Sequence, residues 1–66
     1  MNGKELKDAL MDGRKVFCNG IEYSNISAII YRNRGGAIEV SAELLDKNKT
    51  CVVIAQADKV QEVKND

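Results

Sequence analysis

The spacing of hydrophobic residues changes near Lys15, and that change limits the folds available to this chain. Before Lys15 the apolar residues recur every three or four positions, as they do on one face of a helix. After it they alternate with polar residues, as they do in strands that bury one face. A chain of 66 residues has room for one domain with one core. We therefore expect a single α+β domain, mainly β, over residues 1–66, with its helix first.

The first segment predicts a helix over about residues 3–13. Asn2 can accept hydrogen bonds from backbone donors of the first turn, and Glu5 can reach back to it in a capping box. Apolar residues lie on one face from Leu6 onward, and Gly13 suits the left-handed conformation that ends many helices. A helix of this length is marginal alone, so its apolar face must pack on the strands.

The second segment, about residues 15–55, predicts an antiparallel meander of five short strands. Asn19-Gly20 is a strong hairpin signal because both residues tolerate positive φ. The predicted strands are residues 16–18, 21–23, 26–32, 37–45 and 50–55. Strands this short bury enough surface only by curling into a barrel or a strongly curled sheet; an open sheet covered by the helix is the alternative. Residues 57–63 predict a short terminal helical turn, and residues 64–66 should fray.

Strand alternation assigns faces in the third and fourth predicted strands. On one face of the third lie Ile26, Ala28 and Ile30, and on the other lie Ile29 and Tyr31. In the fourth, Ile38, Val40, Ala42 and Leu44 face the core while Glu39, Ser41 and Glu43 face water. In residues 16–18 and 51–55 successive positions are apolar, so the sequence does not assign which side chains face the core. Whether the two cysteines are adjacent stays open as well.

The stretch from Val16 to Val60 follows a recurring order of turns and apolar strands. It is carried by Asn19-Gly20, Ala28–Tyr31, Leu44-Leu45-Asp46, Asn48 and Val52-Val53-Ile54. This order resembles the SH3-like barrels, especially their Tudor and KOW-type branches. The phrases Ile26–Arg32 and Val40–Asp46 also look like those of small proteins of unknown function encoded by phages and prophages of Gram-positive bacteria. The first resemblance implies a barrel fold; the second implies a provenance and no activity.

The residue types exclude most familiar chemistry. The chain has no histidine, the commonest general base and metal ligand. Cys18 and Cys51 are too few for a structural zinc site or a disulfide framework, so we expect free thiols. Glu39 and Glu43 lie on one strand face but ~13 Å apart, too far to act on one bond. We expect no enzyme activity and no cofactor.

The first functional hypothesis is a protein-interaction or homo-oligomerisation module, and the possible partner is a second copy of the chain. Ile29 and Tyr31 motivate it, because a small barrel leaves one face of a strand unburied. The outward residues of the last strand would join them, either Val52 with Ile54 or Cys51 with Val53. In the alternative, the helix covers the face of Ile29 and Tyr31.

The second hypothesis is nucleic-acid binding. Tyr31, Arg32 and Arg34 form a local cluster, and Lys47 and Lys49 lie in the next turn. Cations contact phosphates and a ring stacks on bases, but ten basic and ten acidic side chains cancel. The longest apolar runs are too short to cross a bilayer. We therefore expect a cytoplasmic protein that does not bind membranes.

Overall fold

The structure, a computed structural model, describes residues 1–63 and forms one helix and six antiparallel strands. The elements are α1 (Gly3–Asp12), β1 (Val16–Cys18), β2 (Ile21–Tyr23), β3 (Asn25–Arg34), β4 (Ala37–Leu45), β5 (Val52–Gln56), the 3₁₀ turn η1 (Ala57–Lys59) and β6 (Val60–Glu62). The fold is mainly β, as predicted, but within these residues it has six strands rather than five and no closed barrel. The predicted fraying of residues 64–66 lies outside the described residues.

The helix begins and ends at the predicted residues. Asn2 Oδ1 accepts from the Glu5 backbone N–H at 2.8 Å, and Glu5 Oε1 accepts from the Asn2 N–H at 2.9 Å. This capping box satisfies donors that have no partner inside the helix. Gly13 ends α1 with a φ of 66°. The Met1 ammonium donates to the carbonyls of Ala57 and Val60, so it links the start of the chain to η1 and β6.

The first sheet has the order β2-β1-β6. Asn19 and Gly20, with φ values of 53° and 76°, form the predicted two-residue turn between β1 and β2. The predicted terminal helical turn is η1, but it ends at Lys59 instead of continuing through 63. Val60 then pairs with Cys18 of β1 and starts β6, the strand that the sequence did not predict.

The second sheet has the order β3-β4-β5, and Ser24 connects it to the first. The Ser24 backbone N–H donates to the Leu45 carbonyl at 2.8 Å. The chain is therefore already hydrogen-bonded to β4 at the residue where it passes from the first sheet into the second. Because η1 directs the last strand to β1, β5 pairs with β4 alone in residues 1–63. The two sheets therefore stay open between β5 and β6.

A bulge at Ser27 changes the predicted faces of β3. Ile26 pairs with Leu44, but Ala28 pairs with the next residue, Glu43, so Ser27 is an extra residue in the strand. Its hydroxyl donates to Glu43 Oε1 at 2.7 Å. One extra residue reverses the alternation beyond it. The prediction that Ile26, Ala28 and Ile30 share a face was therefore wrong.

The core lies between α1 and the two sheets. Its buried residues are Leu6, Ala9, Val16, Cys18, Tyr23, Ile26, Ala42, Leu44, Ala55 and Val60. The predicted inward face of β4 is confirmed for Ala42 and Leu44. The structure also assigns the core-facing residues that the sequence left open: Val16 and Cys18 are buried in β1, and Ala55 is buried in β5. Cys18 is a buried thiol and Cys51 an exposed one.

Candidate functional site

Strand β5 exposes three successive apolar side chains at the edge of the second sheet. Val52, Val53 and Ile54 each have two fifths or more of their surface exposed. β5 has β4 on one side and no partner strand on the other within residues 1–63. Because an unpaired strand edge presents free backbone donors and acceptors, such an edge is a template for another strand.

The other edge strands carry the charges that usually protect an edge. β2 and β6 have three residues each and carry Glu22 and Glu62, and β3 carries Arg32 and Arg34 in its exposed half. Of the four edge strands in the described part of the chain, β5 alone has no charged side chain. Short length and charge both discourage edge pairing. β5 is therefore the least protected edge.

The hydrogen bonds of the preceding turn show which backbone groups of β5 are free. The Asp46 N–H donates to the Cys51 carbonyl at 3.1 Å, so the backbone of Cys51 faces β4. In an antiparallel ladder, successive residues direct their backbone groups to alternate sides. The N–H and C=O groups of Val52 and Ile54 and the N–H of Gln56 therefore face the free edge, whereas the Gln56 carbonyl accepts the first hydrogen bond of η1.

The side chains of β5 divide between the two faces of the sheet. Val53 pairs with Leu44 and lies on the core face, whereas Ile54 pairs with Glu43 on the opposite face. Val52 shares that outer face with Ile54 and pairs with Leu45. A strand added at this edge would meet Val52 and Ile54 on one face and Val53 on the other.

The predicted partner surface of Ile29 and Tyr31 is split by the packing of α1. Ile29 is half-buried and packs against the core, as in the alternative in which the helix covers this face. Tyr31 remains 62% exposed, with its hydroxyl near Gly3 of α1. The bulge puts both residues on the face opposite Val52 and Ile54, so the joint surface with those two residues does not form. Of the two expected alternatives, the one with Val53 remains, since Val53 lies on the same face as Ile29 and Tyr31.

The residues predicted to bind nucleic acid do not form one patch. Tyr31 lies on the face of β3 opposite Arg32 and Arg34 because side chains alternate along a strand. Arg34 Nε is 2.9 Å from Glu39 Oε2, so an acidic side chain offsets its charge. Lys47 and Lys49 follow the far end of β4, ~27 Å along the strand from its start.

A recess of about 340 Å³ lies between α1, β1 and β6. Arg14, Lys15 and Glu62 form part of its wall. Arg14 Nη1 is 3.9 Å from Glu62 Oε1, and Arg14 Nε is 3.4 Å from Asp12 Oδ2. Neighbouring carboxylates thus offset the positive charge, and the recess has little preference for an anion.

Comparisons with known proteins add no assignment to this surface. No protein-family model, curated protein or solved structure matched the chain. In residues 1–63 no helix is both long enough and apolar enough to cross a membrane. The sequence signal for the β5 edge is the absence of charge from Thr50 to Gln56, but sequence did not tell which side of the strand stays unpaired.

Proposed function

We propose that this protein is a small, non-enzymatic binding module that accepts an extended strand of a protein chain at the free edge of β5. The observation that carries the proposal is an uncharged edge strand whose successive apolar side chains are exposed. Folded proteins usually protect such an edge, so an unprotected one is typical of an interaction site.

Strand addition would combine two kinds of contact. The free backbone groups of Val52, Ile54 and Gln56 would supply hydrogen bonds that do not depend on the partner's sequence. Val52 and Ile54 on one face, with Val53 on the other, would select apolar side chains at alternate positions of the partner. The module would therefore prefer uncharged, β-branched segments without proline.

The likeness to SH3-like barrels is part of the proposal. The bent strand formed by β2 and β3 supports it, and so does the return of β6 to β1 after a 3₁₀ turn. The opening between β5 and β6 leaves the β5 edge available. The phage-type provenance and the cytoplasmic location stay predictions.

Protein binding has more support than nucleic-acid binding. A nucleic-acid site would need cations and an exposed ring on one surface. Here the side chains of Tyr31 and Arg32 lie on different faces of β3, and Arg34 forms an ion pair with Glu39. Strand β5 itself has no charged side chain to contact phosphates, whereas its apolar residues suit a protein strand.

The test is selection of displayed random peptides on the immobilised protein, followed by binding to edge variants. We expect the selected peptides to bind wild type and to lose at least about tenfold in affinity to Ile54→Lys, because a lysine in the edge strand opposes strand addition. Fluorescence anisotropy with synthetic peptides measures the loss.

Ile21→Lys is the matched control. Ile21 is 57% exposed and Ile54 is 49% exposed, but Ile21 lies in β2 of the other sheet. We expect this variant to bind the peptides as wild type does. Peptides that bind Ile54→Lys as tightly as wild type, or a selection that yields no binders, would contradict the proposed function.

A further inference from the structure

Resting on the proposed function, we infer that the strand accepted by β5 is β5 of a second copy of this chain, paired antiparallel about a twofold axis at Ile54. Twofold dimers are the commonest symmetric assemblies, and their interface must be complementary to itself. The β5 edge meets that requirement in its backbone, its side chains and its charge.

The backbone is compatible with this register. A twofold axis perpendicular to the sheet places one residue opposite its own copy. With Ile54 at the axis, Val52 faces Gln56 of the second copy, so the three residues with outward backbone groups all face one another. The two Ile54 residues would exchange two hydrogen bonds, and each Gln56 N–H would donate to the Val52 carbonyl of the other copy, about four in total. An axis at Val53 would oppose Gln56 to Thr50, whose N–H already donates to Asp46 Oδ1 at 2.9 Å.

The side chains match in the same register. Ile54 would contact its own copy on the outer face, and Val53 would lie opposite Ala55 of the second copy on the core face. The two second sheets would become one continuous sheet of six strands, with apolar contacts across the axis on both faces.

Charge favours a second copy at β5 and opposes it at β2. Because β5 has no charged side chain, its self-pairing opposes no like charges within the strand. The same twofold pairing of β2 about its central residue would put Glu22 opposite its own copy, which is unfavourable.

The size of the contact predicts a reversible dimer. A stable interface usually takes ~800 Å² from each partner. The whole chain exposes 4621 Å², and one five-residue edge is a small part of it. We therefore expect the mass in solution to rise with protein concentration from that of one chain, 7.3 kDa, toward that of two.

The experiment measures solution mass by sedimentation velocity over a wide range of concentration. We expect Ile54→Lys to weaken self-association by at least about tenfold, since it puts two lysines together at the axis. Ile21→Lys should associate as wild type does. A wild-type protein that stays monomeric, or equal loss in both variants, would overturn the inference.

Opposite charges at position 54 test the axis itself. Ile54→Lys and Ile54→Asp should each be monomeric, and an equimolar mixture should recover a dimer because residue 54 faces residue 54. Circular dichroism of each variant checks that it is folded. A mixture that stays monomeric while wild type dimerises would overturn this register.

The two proposals fail separately. If wild type stays monomeric but selected peptides distinguish it from Ile54→Lys, the occupant of the edge is another protein and only the inference of a second copy is wrong. If the peptides also fail to distinguish the variants, the proposed function is wrong as well.

Discussion

Asp46 organises the turn between β4 and β5, and thereby the start of the candidate edge. The backbone N–H of Thr50 donates to its carboxylate and is the main reason that the pKa of Asp46 lies below its usual value; partial burial acts in the opposite direction. Further hydrogen bonds from the Cys51 N–H, the Thr50 hydroxyl and the Lys49 N–H also lower this pKa. The charged form of Asp46 therefore stabilises the fold.

We predict that Asp46→Asn lowers the free energy of unfolding at neutral pH and that the deficit shrinks in acid. A lowered pKa in the folded state means that stabilisation is complete above the unfolded pKa of ~3.9 and is lost as pH falls through the folded pKa. Urea denaturation of both proteins between neutral pH and strong acid measures the difference. A deficit that stays constant over that range would show that the carboxylate charge has no part in it.

Single residues also explain where sequence reasoning failed at the site. Asn19 and Gly20 were predictable because their backbone preferences are local. Ser27 was not, because a bulge depends on the partner strand, and here the partner is Glu43. Because of the bulge at Ser27, Ile29 and Tyr31 lie on the core face of β3 instead of the predicted outer face. The candidate site is therefore on β5 and not, as predicted, on β3.

At the scale of elements, α1 depends on its cap. We predict that Asn2→Ala lowers the free energy of unfolding by about 1 kcal/mol, because it leaves the Glu5 N–H without its acceptor and breaks the capping box. Asn2→Asp keeps an acceptor of similar capping strength and should stay within about 0.5 kcal/mol of wild type. Urea denaturation measures both. Equal losses in the two variants would mean that the amide contributes something other than its cap.

The elements that sequence predicted are those with local signals. The helix has a cap, an apolar face and a terminal glycine, and β4 has a clear alternation. β6 has three residues and pairs with β1 from the other end of the chain, so no local pattern indicates it. A barrel or a strongly curled sheet was expected because short strands need to bury their edges; the structure has no closed barrel within residues 1–63 and leaves β5 as an open edge.

At the scale of the whole molecule, helix and sheets share one core. Leu6 and Ala9 from α1 belong to the same buried cluster as Val16 of the first sheet and Leu44 of the second. With ~0.05–0.15 kcal/mol per residue, a domain of this size has a total stability of about 3–10 kcal/mol. Within residues 1–63 the buried side chains form this one cluster, so the elements should unfold together.

We predict that Leu6→Ala destabilises both sheets as well as the helix. Leu6 is fully buried, and removing a buried leucine side chain costs about 2–5 kcal/mol, a large share of the total. Urea transitions of wild type and variant, followed by far-ultraviolet circular dichroism and by the near-ultraviolet signal of the tyrosines, should coincide for each protein and shift together. Met11→Ala, at a helix position that is 75% exposed, should stay within about 0.5 kcal/mol. If the helical signal of Leu6→Ala is lost while the tyrosine transition stays in place, α1 is not part of the common core. The β5 edge would then belong to a sheet that folds without its helix.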